Sequence, residues 1–210
     1  GCPCEEAARE NRTQSQRPKV CTYEVGRGIL FQGKGLRTAK DAKRGQKMDA
    51  ITIRTAVPAD LDAVAQVEAA CFPAAEAADR KSLKERLDVF PQSFLVAEDG
   101  NRIIGFINGA VTNGRTIGDE MFEDTSLHEP EGAYQSIFGL DVIEEYRHQG
   151  VASRLMEAMI ERARSQGRRG LILTCKDRLI GYYETFGYVN MGISQSVHGG
   201  AVWYDMILEF

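Results

Sequence analysis

The stretch that decides the fold covers residues 135–156 and has the sequence QSIFGLDVIEEYRHQGVASRLM. Residues 137–143 form a short apolar run, which is typical of a buried strand. A polar cluster follows at residues 144–150, and from Val151 onward apolar residues recur at helical spacing. The stretch therefore predicts a strand, a tight basic turn and a helix, in that order.

The turn before this helix has the features of an anion site. The N–H groups of the first helical turn lack partners within the helix, and the helix dipole is positive at that end. Gly150 allows close backbone approach, Ala152 adds little bulk, and Arg147 adds a full positive charge. These features favour a phosphate or pyrophosphate, although neither Gly-Lys-Ser/Thr nor G-x-G-x-x-G is present. A basic surface turn that binds nothing is the alternative.

Residues Arg147-His148-Gln149-Gly150-Val151-Ala152 resemble the R/Q-x-x-G-x-G/A signature of the GNAT superfamily of N-acetyltransferases. As in that superfamily, the signature lies between a central strand and a long amphipathic helix. The resemblance implies that acetyl-CoA is the cosubstrate, bound through the backbone N–H groups of residues 148–153, with its pantetheine arm along the preceding strand. The implied binding residues are Leu140, Asp141, Val142, Arg147, His148, Gln149, Gly150, Val151, Ala152 and Ser153.

The order of the remaining elements also resembles this superfamily, from about residue 50 to residue 210. The implied fold class is α/β (α+β), with a mixed, mostly antiparallel central sheet of about seven strands, splayed between the fourth and fifth and flanked by helices. Strands are predicted at Ile51–Thr55, Phe94–Glu98, Ile103–Val111, Gly132–Ile143, Gly170–Cys175, Tyr188–Ile193 and Val202–Phe210. Helices are predicted from about Val57, and at Lys81–Phe90, Val151–Gln166 and Arg178–Phe186. Asp177 is the predicted N-cap of the last helix, Gly187 its C′ residue, and Asp99-Gly100 a hairpin turn.

Charge divides the chain into two parts. Residues 1–47 contain 11 Lys and Arg against 5 Asp and Glu, whereas residues 48–210 contain 15 against 25. We interpret residues 1–47 as a basic leader that is disordered or loosely attached, and residues 48–210 as a single folded domain beginning near Met48. The net charge of this domain is −10, against −4 for the whole chain, which argues against nucleic acid and favours small cationic partners.

Other classes of protein are disfavoured by composition. No apolar run reaches the roughly 18 residues of a membrane span, and no signal-peptide core follows the N-terminus. We therefore expect a soluble, cytoplasmic protein that does not bind membranes. The five cysteines form no CxxC pair, so neither a disulfide framework nor a metal site is predicted, and Cys71 and Cys175 are expected to be buried. The sequence leaves the oligomeric state open.

Within the superfamily, three stretches resemble the arylalkylamine (serotonin-type) N-acetyltransferases: residues 123–132, 173–179 and 182–188. That resemblance implies a primary amine as the acceptor and Tyr183 as the general acid toward the departing thiolate. The two histidines that relay the amine's proton in that family fall on Ser136 and Phe138 here. Neither residue can act as a base near neutral pH.

The proton acceptor therefore stays open at this point. Asp141 lies on the same strand, but alternation places it on the face opposite to Phe138. His128, His198 and the acidic residues of the loop 114–131 are further candidates, as is a water relay through Ser136. Tyr183 itself could be a packing residue.

Two alternative functions also stay open, namely acetylation of a protein N-terminus or lysine, and coenzyme A binding without catalysis. An open peptide groove would favour the former.

Overall fold

The computed structural model describes residues 50–73 and 76–210, so the leader predicted at residues 1–47 lies outside the described part. The described residues form nine strands in two sheets and four α-helices. The strands are β1 (Ile51–Thr55), β2 (Phe94–Asp99), β3 (Arg102–Asn108), β4 (Val111–Thr112), β5 (Tyr134–Ile137), β6 (Gly139–Val142), β7 (Gly170–Cys175), β8 (Val189–Ile193) and β9 (Tyr204–Glu209). The helices are α1 (Leu61–Cys71), α2 (Arg80–Val89), α3 (Val151–Ser165) and α4 (Ile180–Glu184).

The sheet topology confirms the predicted fold class. One sheet has the order β1-β2-β3-β6 and the other has the order β4-β5-β7-β9-β8. All pairs are antiparallel except β5 with β7. Helices α1 and α3 pack on β3 and β6, and α3 buries Leu155, Met156 and Met159 completely. Each such side chain contributes about 1.5–3 kcal/mol through burial, which holds α3 against the sheet.

The strand predicted at Gly132–Ile143 is two strands that belong to different sheets. Its first half, β5, pairs with β7, and its second half, β6, pairs with β3. The chain crosses between them at Phe138, whose N–H donates to the Asn108 carbonyl at 2.8 Å. Gly109 makes this crossing possible, because a Cβ at that position would collide with the Ser136 carbonyl. As a result the sheets diverge between β6 and β7, as the predicted splay requires.

The predicted helix over Arg178–Phe186 is wrong at its start. A 3₁₀ turn covers Asp177–Leu179, and α4 follows as a helix of five residues. Asp177 does not cap the helix, because its carboxylate accepts from the adjacent Arg178 N–H. Gly187 has the left-handed φ, +92°, that was predicted for the residue ending this segment. The Asp99-Gly100 hairpin between β2 and β3 and the burial of Cys71 and Cys175 are confirmed.

None of the helices in the described residues combines the length and the apolarity needed to cross a bilayer.

Candidate functional site

A cavity of about 340 Å³ lies where β6 and β7 diverge. Its walls come from α1 and the segment after it, from α2, from residues 137–141, and from β7 and α4. The loop before β5 and the turn before β9 complete it. The residues that line it include Glu68, Cys71, Glu76, Arg86, Phe122, Glu123, Phe138, Leu140, Asp141, Arg147, Lys176, Tyr182, Tyr183, His198 and Trp203.

The helix start predicted to bind an anion is open for that purpose. Gly150 precedes α3 with a left-handed φ of +85°, and His148 is also left-handed at +58°. No side chain caps the first turn, and that turn contains no acidic residue. The first N–H groups of this 15-residue helix therefore point outward beside a positive helix dipole. This arrangement suits a phosphate group.

Of the ten predicted binding residues, Leu140, Asp141 and Arg147 line the cavity. Arg147 is half-buried, and its Nε donates to the Val142 carbonyl at 2.9 Å. Its charge therefore lies between the cavity and the turn. The other seven residues (Val142, His148, Gln149, Gly150, Val151, Ala152 and Ser153) lie on the adjoining end of β6, in the turn and in the first turn of α3.

Tyr183 reaches the cavity from α4 and is 8% exposed. Its ring packs edge-on against Tyr182 and Tyr188, at centroid distances of 5.2 and 5.8 Å. Tyr182 also lines the cavity, and its hydroxyl lies 3.5 Å from Ser153 Oγ at the start of α3. Burial raises the pKa of Tyr182. Two tyrosines rather than one are thus placed beside the divergence of the sheets.

The structure separates the candidate bases. Ser136 is fully buried, its Oγ donates to the Ala110 carbonyl at 2.7 Å, and it is not among the residues that line the cavity. His128 also lies outside the lining, because its Nδ1 accepts from the Val111 N–H at 3.0 Å. Burial and Arg168 lower the pKa of His128. His198 does reach the cavity, with its ring stacked on Phe122 at 5.3 Å.

A buried charged cluster forms the wall near β6. Glu68 on α1 and Asp141 on β6 are hydrogen-bonded to each other, and Glu68 Oε1 accepts from the Ala78 N–H at 2.7 Å. Burial raises the pKa of Glu68. Arg86 on α2 donates to Asn108 Oδ1 at 3.3 Å and to the Phe122 carbonyl at 2.8 Å. Burial lowers the pKa of Arg86, against the attraction of Glu68.

Sequence reasoning missed Glu68 and Arg86 as site residues, although a signal was present. Glu68 continues the apolar spacing of Leu61 and Val64, so an ionisable residue occupies the buried face of its helix. Such residues are almost never fully buried unless they are paired. Metal chemistry has no comparable support, since no group of three or more His, Cys, Asp or Glu able to hold an ion occurs in residues 50–73 and 76–210.

Three segments meet at the mouth of the cavity and partly cover it. Lys176 reaches across to Glu76 at 2.8 Å, and its ammonium lies 5.3 Å from the Trp203 ring. The long loop joins through Asp119, whose carboxylate accepts from Ser196 Oγ and from the Val197 N–H. The loop predicted at residues 114–131 therefore folds over the site, held by one of the acidic residues proposed to face it.

Comparison with known proteins gives concordant results. The model of the acetyltransferase (GNAT) family matches residues 61–188. Serotonin N-acetyltransferase of Mesocricetus auratus is 27% identical over 179 residues, which cover 83% of this chain and 85% of that protein. The structure of the GphF GNAT-like decarboxylase in complex with isobutyryl-CoA is similar, with a TM-score of 0.66, 24% identity and coverage of 75% of this chain and 98% of that one. Arabidopsis thaliana Naa50, in complex with the bisubstrate analogue CoA-Ac-MVNAL, gives a TM-score of 0.61 at 15% identity, covering 77% and 99%.

Proposed function

Because the chain belongs to the GNAT acetyltransferase family, we propose that it acetylates a small primary amine, arylalkylamine-like or a polyamine, by direct transfer from acetyl-CoA in a ternary complex. The observation that carries the proposal is the covered cavity between β6 and β7. Tyr183 lies on one wall of this cavity, a carboxyl cluster on another and aromatic rings under the cover. Through Arg147 it adjoins the uncapped helix start, so that a bound anion and an acceptor would lie at neighbouring positions.

The chain's own groups fit acetyl-CoA at the open end of this cavity. The uncapped N–H groups at the start of α3 would hold the pyrophosphate, with Arg147 beside them. The pantetheine arm would follow Leu140 and Val142 into the gap between the sheets. Acetyl-CoA supplies the activated acetyl group as a thioester. Tyr183 is assigned to protonate the departing thiolate, whose conjugate acid has a pKa of about 8.5 by analogy with cysteine.

The acceptor end favours a cation with an apolar body. Phe122 and Phe138 pack together at a centroid distance of 4.9 Å, and Trp203 lies across the cavity mouth. Glu123 supplies a further carboxylate on the lining, beside the buried cluster. A protonated arylalkylamine can place its ring among these rings and its ammonium near the carboxylates.

The cover favours a small acceptor over a peptide. A peptide chain needs an open groove, whereas here the Lys176–Glu76 pair and the contacts of Asp119 span the mouth. Acetylation of a protein N-terminus would require these contacts to open. The likeness to Naa50 is at 15% identity and concerns the fold alone. Coenzyme A binding without catalysis is the remaining alternative.

One experiment separates these functions. Isothermal titration with acetyl-CoA would be followed by measurement of thiol release with phenethylamine, tryptamine, spermidine and short peptides. We expect binding, and turnover with the small amines. Turnover with peptides alone would select the peptide alternative, and binding without any turnover would select the non-catalytic one.

The acidic side of the cavity is expected to select cationic acceptors. Glu123→Gln should raise the KM for tryptamine up to about fivefold, because an exposed ion pair contributes up to about 1 kcal/mol. The effect should shrink as salt rises. Glu131→Gln is the matched control, since it removes the same charge from the same loop but lies outside the cavity lining. Equal effects of the two variants would show that overall charge, not Glu123, is responsible.

The basic leader is expected to be dispensable. Every residue named in the cavity wall lies beyond position 67, and the first strand begins at Ile51. A chain starting at Met48 should therefore retain its melting temperature and its acetyl-transfer rate, measured by calorimetry and thiol release. Loss of activity on truncation would instead assign residues 1–47 to the functional unit.

A further inference from the structure

The carboxyl groups of Glu68 and Asp141 meet at the wall of the cavity. The two residues are 5% and 2% exposed, and a hydrogen bond to Asp141 acts on the pKa of Glu68 in the direction opposite to burial. Two carboxylates cannot both be ionised at hydrogen-bonding distance in such a site, because like charges repel strongly away from water. One shared proton removes the repulsion and supplies the hydrogen bond.

The surrounding charges match a pair that carries one negative charge. Arg86 faces the pair from α2, and its hydrogen bonds go to Asn108 and to the Phe122 carbonyl, so its charge is left to balance the pair. Asp79 is engaged at the start of α2, where its carboxylate accepts from the Ser82 N–H. Arg147, from the turn after β6, donates to the Val142 carbonyl. A singly protonated pair carries one negative charge, so the pair and Arg86 together are electrically neutral.

Both residues of the pair line the cavity, together with Tyr183. Residue 139 has no side chain, and a Cβ there would lie only 3.2 Å from the buried Oδ2 of Asp141. The glycine therefore lets β6 pass close beside the Asp141 carboxyl. Of the other candidate bases, Ser136 and His128 do not line the cavity, whereas His198 lines it with its ring stacked on Phe122 and its Nε2 3.3 Å from the Glu76 carbonyl.

We propose that Glu68 and Asp141, holding one proton between them, act as the acceptor of the proton that the amine must lose before it attacks the thioester. This inference rests on the acetyltransferase function proposed above. It assigns the proton acceptor that sequence reasoning left open.

The proposed reaction releases one proton for each acetyl group transferred. The ammonium gives one proton to the pair, which then holds two protons and later returns one to solvent. The free amine attacks the acetyl carbonyl, so a C–N bond forms and the C–S bond breaks. The thiolate takes the proton of the Tyr183 hydroxyl, and Tyr183 regains one from the nitrogen of the new amide. The products are the neutral amide, the free thiol and one released proton.

The kinetic test uses the full chain and Glu68→Gln, an isostere that keeps the contacts of the carboxyl but cannot accept the proton. For the wild type, kcat/KM with phenethylamine should rise with pH as the pair loses its second proton, and should then level off. The rise should occur above the pH range in which carboxyl groups usually titrate, because burial raises the pKa of Glu68. In the variant only the free amine reacts. Its kcat/KM should be about tenfold lower at pH 7 and should climb tenfold per pH unit towards the amine's pKa of about 10.

Glu161→Gln, on the exposed face of α3, is the matched control and should behave as the wild type. Acetyl-CoA affinity should not change in any of these proteins. Parallel pH profiles for the wild type and Glu68→Gln would overturn the inference while leaving the acetyltransferase function intact. If the wild type transfers acetyl to no amine, the proposed function and the inference both fail.

A second measurement does not depend on turnover. Carboxyl ¹³C resonances of the labelled full chain, assigned by their loss in Glu68→Gln and Asp141→Asn, should show these two groups titrating together. One proton should persist to a pH well above the usual value of about 4 for exposed carboxyls. Separate titration of both groups near pH 4 would exclude the shared proton and overturn the inference.

Discussion

Tyr183→Phe is expected to slow acetyl transfer by about 10²-fold, with little change in acetyl-CoA affinity. The substitution removes one hydroxyl and keeps a ring that packs against Tyr182 and Tyr188. Loss of a positioned general acid typically costs 10²- to 10⁴-fold in rate. The effect should therefore appear in kcat and in kcat/KM alike, because the interaction is made in the transition state. Single-turnover thiol release measures it directly.

Two neighbouring tyrosines provide matched controls. Tyr188→Phe removes a buried hydroxyl that contacts Met156 Sδ, at a position outside the cavity lining, and should leave the rate unchanged. Tyr182→Phe removes the contact with Ser153 at the start of α3 and should affect acetyl-CoA binding more than chemistry. If Tyr182→Phe shows the larger loss of kcat, the acid role belongs to Tyr182. Full activity of Tyr183→Phe would leave that residue a packing role.

The parts of the fold that the sequence predicted well are those with a local signal. Helix α3 shows a sustained helical spacing over Val151–Ser165, and β7 is a short apolar run bounded by Gly170. Their predicted ends differ from the observed ends by at most one residue. In both cases the apolar spacing marks the buried face of the element, and it can be recognised without knowing which other elements pack against that face.

The break at Phe138 has no such local signal. Residues 134–142 are almost all buried and show no turn residue pair, and the division into β5 and β6 depends on pairing with β7 on one side and β3 on the other. Those partners lie about 30 residues away in either direction. Likewise no local pattern predicts that the His198 ring stacks on Phe122, since this contact depends on Asp119 binding the neighbouring Ser196 and Val197.

In the candidate site, too, some features have a local sequence signal and others depend on the fold. The helix start at Gly150 and the position of Tyr183 follow from short motifs. The pairing of Glu68 with Asp141 joins α1 to β6 across 73 positions, and only the fold brings them together. Alternation predicts Asp141 on the face opposite to Phe138, yet both residues line the cavity.

Gly150→Glu is expected to weaken acetyl-CoA binding on the order of 10²-fold, about 2.7 kcal/mol. Gly150 has a φ of +85°, and residues other than glycine lose roughly 1–2 kcal/mol in the left-handed region, so the turn that presents the N–H groups should shift. The added carboxylate also places a negative charge where the helix dipole otherwise attracts phosphate. Titration calorimetry with acetyl-CoA measures the loss.

Two further variants separate the contributions of strain and charge. Gly150→Ala imposes the strain without the charge and should show a smaller loss of affinity, about tenfold. Gly167→Glu imposes both just past the opposite end of α3, where φ is +71° and no atom lies within 4 Å of the new Cβ. Because the length of α3 separates this position from Gly150, that variant should lose stability but retain acetyl-CoA affinity. Unchanged affinity in a folded Gly150→Glu protein would show that the pyrophosphate does not bind at the start of α3. Arg147 would then have to hold it at another position along the cavity.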